Sequence, residues 1–188
     1  QTLFSASLIA EVLPRIWQRD PEEGWRRLEE LRQLSRGALA EMRTLLLELR
    51  PSALTEAKLS DLLRQLGDAV SGRARLPVNL DVQGEYPLDP DVQVFFYRIA
   101  QEALNNILKH AGATQVNILL HFTAPRPHGL RIVRMVIRDN GRGFDPAQVP
   151  PNHLGLGIMR ERAHARNAVL NITSAPGQGV EVEVVWEG

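Results

Sequence analysis

The sequence predicts an α+β protein in two parts: an N-terminal antiparallel helical hairpin over residues 1–51, then an α/β two-layer sandwich over residues 52–188. Three patterns predict this. Leu28, Leu31, Ser35, Ala38, Met42, Leu45 and Leu49 alternate in steps of three and four, a heptad seam. In the stretch 91–110, DVQVFFYRIAQEALNNILKH, the residues Val92, Phe96, Ile99, Ala103 and Ile107 share one side of a helix. Near the C-terminus Val180, Val182, Val184 and Trp186 alternate with Glu181, Glu183 and Glu187, so a sheet there is dry on one face and wet on the other.

Taken in order, residues 1–18 read as a helix, apolar over much of its circumference. Asp20 is placed to cap a second helix that starts at Pro21 and runs to about Arg50, where Pro51 stops it. Two such helices cannot bury their apolar faces alone: they either pair with a second copy as a four-helix bundle or pack on the rest of their own chain, and the long, regular seam favours a homodimer through residues 1–50. Residues 51–58 read as a linker, and 59–75 as a helix ending near Gly72. Val78, Leu80 and Val82 mark a half-buried strand, and Asp89 or Asp91 can cap the 91–110 helix. Residues 115–122 and 130–139 read as a strand hairpin across a proline-containing turn. Residues 144–153 have no hydrophobic period and suit a lid. A helix follows to about Arg166, then two more strands around Pro176-Gly177-Gln178-Gly179.

Composition removes several classes of function. The 188 residues carry zero formal net charge and no basic tail, so nucleic acid is not an expected partner. With no cysteine, disulfides, thiolate metal sites and cysteine nucleophiles are excluded. No apolar run reaches membrane-spanning length and no signal-peptide pattern is visible. A cytoplasmic location is expected for these residues, in a parent protein that is either membrane-anchored or soluble. The chain starts in a helical pattern without methionine, and reads as a fragment of something longer.

Chemistry concentrates in three places. Glu102, Asn106 and Lys109 follow i, i+4, i+7 and form a polar stripe beside the apolar face of their helix. Such a stripe is either a solvated face or a base, an oxygen ligand for a hard cation and a phosphate contact. Asp139 falls in register with Val133, Met135 and Ile137, so it points toward the core, where a carboxylate needs a partner. It opens Asp139-Asn140-Gly141-Arg142-Gly143, a segment suited to a sharp turn or a close ligand. Gly155 and Gly157 precede a helix, where free backbone amides and the helix dipole favour an anion.

The order of these pieces resembles the GHKL (Bergerat) ATP-binding fold shared by gyrase, MutL, heat-shock chaperones and histidine kinases. The closer resemblance is to the NarX/DesK-like branch of two-component sensor histidine kinases. It rests on Gln101-Glu102-Ala103-Leu104-Asn105-Asn106, Lys109-His110-Ala111, Arg138 through Phe144, Gly155 through Ala163 and the hairpin ending in Leu49-Arg50-Pro51.

That resemblance implies ATP and Mg²⁺ as cofactors. It implies that Asp139 accepts a hydrogen bond from the adenine amino group, and that Gly141 and Gly143 let the backbone pass close to the base. Asn106 would supply an oxygen to Mg²⁺, Lys109 and His110 would contact phosphate, and Gly155 and Gly157 would wrap the phosphates, with 144–156 as lid. Glu102 would orient or deprotonate the attacking group. The partner implied is the receiver domain of a response regulator, reached through a phosphohistidine. The acceptor of this branch lies in a His-Asp-x-x-x-Gln pattern, whose Gln matches Gln1, so it would sit just before residue 1. Gln1 would assist dephosphorylation of the regulator. None of the five histidines lies in the hairpin, so no normal autophosphorylation of these residues is expected. Val180 stands where the family often has threonine and offers no hydroxyl to a phosphate. Two other readings are a nucleotide-holding dimer scaffold without turnover and another GHKL ATPase. Intact Glu102, Asn106 and Asp139 argue against the first, and the short lid and N-terminal hairpin against the second.

Overall fold

A computed structural model describes residues 2–49, 53–123, 131–145 and 154–188. Gln1, Pro51 and lid residues 146–153 lie outside them.

Helix α1 (Thr2–Arg19) and helix α2 (Pro21–Leu49) are joined by the single residue Asp20. The bend is short because Asp20 caps α2 as expected: its Oδ1 accepts from the Glu22 and Glu23 amides at 3.0 and 3.1 Å. Trp17 and Trp25 pack against each other across the bend, ring centres 5.0 Å apart. Gly24 makes room for this, since a β-carbon there would lie 3.0 Å from the Trp17 ring. Trp25 stays 63% exposed.

The linker is more ordered than its composition suggests. Residues Ala53–Glu56 form a short helix, α3, and Leu54 is buried in the core. Helix α4 (Leu59–Ala74) passes through the expected stop at Gly72, which is buried within it, and ends at Arg75 in a left-handed conformation. It packs along α2, and Arg75 pairs with Glu30. Part of the hairpin's surface is therefore covered by its own chain, while Leu8, Val12, Leu39 and Met42 stay exposed.

Five strands follow: β1 (Val78–Gln83), β2 (Val116–Thr123), β3 (Ile132–Asp139), β4 (Val169–Ser174) and β5 (Val180–Glu187). They form one sheet in the order β1-β2-β3-β5-β4. The expected β2–β3 hairpin is present, with Ile118 opposite Ile137 and Val116 opposite Asp139. The sheet is not wholly antiparallel: β1 runs parallel to β2 because helix α5 (Pro90–Asn106) crosses between them. The dry face (Val116, Ile118, Leu120, Val133, Met135, Ile137, Val182, Val184) forms the core with α4, α5 and helix α6 (Leu154–Ala165). On the wet face Glu183 and Glu181 pair with Arg134 and Arg138 at 2.7 and 2.6 Å. None of the described helices is long and apolar enough to cross a membrane.

Two carboxylates set a pH response. Hydrogen bonds from Lys58 and Ser60 hold Glu85 below the ordinary carboxylate range, and hydrogen bonds from Asn171 and Arg134 do the same for Glu183. Depressed folded values stabilise the fold above the free glutamate value of about 4.3, and that contribution is lost as pH falls through and below it. Lys58 is raised by the same bond, so its share is lost only at the alkaline end. Thermal melts of Glu183→Gln are expected to show a smaller loss of stability between pH 6 and 3 than the parent. An unchanged slope would contradict this.

Candidate functional site

Helix α5 does not end as a plain α-helix. Its last turn, Ile107–Ala111, widens into a π-turn closed by Gly112 in the left-handed conformation. Insertions of this kind re-aim side chains and recur at functional sites. Here the wider turn breaks the i, i+4, i+7 stripe. His110 lines a cavity of about 400 Å³ with Asn106, and Lys109 does not.

Asp139, at the end of β3, lines the same cavity. Apolar side chains of the helices and sheet line it too: Ile107, Ile137, Leu156, Met159, Val180 and Val182. Asp139 is 3% exposed. Its Oδ1 accepts from the Gly141 amide at 2.7 Å, while Oδ2 is buried with no partner among the described residues. An unpaired buried acceptor is costly. In a cavity with apolar walls it is suited to receive an N–H from a flat ligand.

The segment after Asp139 is pinned on every side. Asn140 Oδ1 accepts from the Thr114 and Gln115 amides at 2.9 and 3.0 Å, and its Nδ2 donates to Thr114 Oγ1 at 2.8 Å. The Arg142 amide donates to Ala111 O at 2.8 Å, and the Gly177 amide donates to Arg142 O at 2.6 Å. The Phe144 amide donates to Ser174 Oγ at 2.9 Å. Gly141 lies so close to Ala111 that a β-carbon would collide with it, and Gly143, at φ +58°, abuts Ala175 and Gly179. These two glycines meet protein backbone tightly. Gly143 lines the cavity, and Gly141 sits behind Asp139. The carboxylate is thus held in place before any ligand arrives.

Gly155 and Gly157 are not in a loop ahead of a helix; both lie in the first turn of α6. Gly155 lines the cavity and presses on the stripe of α5. A β-carbon there would collide with Glu102 Oε1 and come within 3.2 Å of Asn106 Nδ2. Gly157 faces open space. Glu102 is half-buried beside α6 rather than on the cavity wall, and Gln1 lies outside the described residues. Asn106, His110, Asp139, Gly143 and Gly155 are therefore brought together, with Glu102 adjoining, while Lys109, Gly141 and Gly157 are off the wall. Sequence reasoning missed Asn140 as the residue that locks the loop. It also missed Arg142, Phe144 and Met159 as lining. An Asn before a glycine turn signals the first; nothing local signals Met159.

Among the described residues no three His, Asp or Glu converge as a metal cage. A magnesium ion held by one side-chain oxygen and a ligand's phosphates needs none, so Asn106 on the cavity wall fits that ion.

Residues 91–187 match the family described as histidine kinase-, DNA gyrase B- and HSP90-like ATPase, and residues 1–54 match the histidine kinase family. The chain is 31% identical to the sensor histidine kinase LiaS of Bacillus subtilis over 185 residues, 98% of this chain and 49% of the relative. It is 31% identical to the sensor protein VraS of Staphylococcus saprophyticus over 184 residues, 98% of this chain and 50% of the relative. The chain thus spans about half the length of the curated relatives it matches. In fold it is similar to the histidine kinase domain of the Erythrobacter litoralis EL346 blue-light activated histidine kinase. That likeness has a TM-score of 0.53 at 22% identity, covering 97% of this chain and 93% of the other.

Proposed function

The chain belongs to the sensor histidine kinases and carries their helical dimerisation region and ATPase domain, and from that premise we propose that it binds ATP with Mg²⁺ in the cavity between α5, α6 and β3. The observation that carries this reading is the shared cavity of Asn106 and Asp139, with Asp139 Oδ2 buried and unpartnered. Asp139 takes the adenine amino group, and the apolar wall from Ile137 to Val182 takes the faces of the ring. Asn106 presents its side-chain oxygen to the metal, which when bound neutralises charge on the phosphates. His110 and the first-turn amides of α6 at Gly155 meet the phosphates; the helix dipole favours them there. Lys109 and Gly157 stand off the wall and reach phosphate only if α6 and the lid shift. Gly141 serves the base by holding Asp139.

In this reading the γ-phosphate passes to a histidine of a kinase helical region and then to an aspartate of a response regulator. Glu102, beside the phosphate end of the cavity, orients or deprotonates the attacking group. The exposed Leu8, Val12, Leu39 and Met42 on the hairpin are the surface a second copy would cover. Gln1, where it matches the family's glutamine, would assist dephosphorylation of the regulator. The place of action is cytoplasmic.

Titration with a fluorescent ATP analogue tests this. Asn106→Asp keeps an oxygen for the metal but sets a carboxylate against the phosphates, and is expected to weaken Mg²⁺-nucleotide binding about tenfold, the equivalent of about 1.4 kcal/mol of like-charge repulsion. Glu102→Gln is expected to change affinity little and instead reduce phosphate transfer to a histidine-bearing version of the chain. The reverse order would contradict the assignment. The 188 residues alone are expected to bind ATP without labelling themselves, because none of their histidines lies in the hairpin.

A further inference from the structure

The buried polar residues among those described are Ser60, Gln93 and Asp139. Asp139 belongs to the cavity. The other two lie elsewhere, where the connector from the hairpin meets the sandwich. Gln93, in the first turns of α5 and 6% exposed, donates from Nε2 to Leu54 O and Ala57 O at 2.5 and 2.6 Å. Both carbonyls belong to the connector between α2 and α4, and Leu54 itself is 1% exposed. On the connector's other side, Lys58 Nζ meets Glu85 Oε2 at 2.6 Å, and Ser60 Oγ donates to the same carboxylate. The connector is thus stapled twice, to residues on either side of the start of α5. The opposite end of that helix, about 20 Å away by helical rise, carries Asn106.

We propose that Gln93 is a positioning residue for phosphate transfer: it fixes the nucleotide-binding sandwich at one orientation relative to the helical hairpin. This rests on the function proposed above. The chemistry is specific to the amide. One side-chain NH₂ has two hydrogens and meets two carbonyls. A four-residue helix such as α3 cannot satisfy its own last carbonyls, so these acceptors need an outside donor. Glutamate at 93 would set a carboxylate against two carbonyls, and methionine would fill the volume and offer no donor. Helix α5 runs unbroken from Gln93 to Asn106, and α4, which follows the connector, packs along α2, so Gln93 ties the helix that carries Asn106 to a connector whose next helix lies on the hairpin.

The cysteine-free chain allows a direct test. Spin labels at Arg26→Cys on the hairpin and Val169→Cys on the sheet edge, diluted with unlabelled chain, report the intrachain distance distribution. Both sites are exposed. Gln93→Met is expected to broaden that distribution at least twofold while ATP affinity changes less than twofold. An unchanged width would overturn the proposal. So would broadening accompanied by loss of ATP affinity, since Gln93 would then serve the fold generally. Should Gln93→Met fail to fold, the Lys58→Met, Ser60→Ala double variant opens the second staple, and an unchanged width there overturns the proposal equally. If the unaltered chain bound no ATP, the reading of the site would fall, and the label distances would still decide whether Gln93 sets the orientation.

Discussion

Asp139→Asn is expected to weaken ATP binding roughly 10- to 150-fold, the equivalent of about 1.5–3 kcal/mol for a hydrogen bond to a buried charged group. The Gly141 amide holds Oδ1 in either residue. What changes is Oδ2, which is buried and has no partner among the described residues. In the variant an NH₂ there would face the NH₂ of adenine, donor against donor. The empty protein is not expected to suffer, because a buried carboxylate with one hydrogen bond is replaced by a neutral group of the same shape. The diagnostic result is therefore a split: lower nucleotide affinity by calorimetry with an unchanged or raised melting temperature. GTP, with a carbonyl oxygen where ATP has its amino group, is expected to bind the parent no more tightly than ATP binds the variant. Equal affinity of parent and variant for ATP would remove Asp139 from the site.

Gly179→Ala is expected to cost about 2–5 kcal/mol of stability and to abolish measurable ATP binding. Gly179 adopts φ +71°, where a side chain costs about 1–2 kcal/mol. A β-carbon there would also run into the backbone carbonyl of Asp139 and lie 3.3 Å from Asn140 Cα. Overpacking of that kind costs about 1–3 kcal/mol more. Relief requires the turn that carries Gly179 or Asp139 itself to move, and the loop's hydrogen bonds resist both. Gly177→Ala is the matched control. Its φ is +77°, but a β-carbon there meets nothing within 4 Å, so only the conformational cost applies and nucleotide affinity should hold. Melting curves and nucleotide titrations of the two variants side by side decide this; equal losses would mean that the contact with Asp139 is immaterial.

The two variants mark where sequence reading reaches and where it stops. Asp139 was legible because strand alternation carries a carboxylate onto the apolar face of β3, and the structure buries it there. The Asp20 cap and the ends of α1, α2 and the strands were legible for the same local reason. Gly179's contact with Asp139 was not legible. It joins residues forty apart in the chain, through a strand order in which β5 lies beside β3. Lys109 marks a second limit. The stripe was extrapolated at α-helical spacing, and one π-turn took its last member off the cavity wall. Gly155 and Gly157 are expected just ahead of a helix, yet α6 begins at Leu154 and takes both into its first turn, where Gly155 packs on α5.

By itself the sequence determined the periodicities: which apolar residues turn inward, that Asp20 caps α2, and that Asp139 is carried onto the apolar face of β3. These depend on near neighbours, and a repeat of two or 3.6 residues encodes them directly. Only the tertiary structure decided that β1 runs parallel to β2, that Asn140 locks the loop behind Asp139, and that Gln93 reaches back to hold the connector. Each of these is a contact between segments far apart in the chain, and no local preference of either partner specifies it.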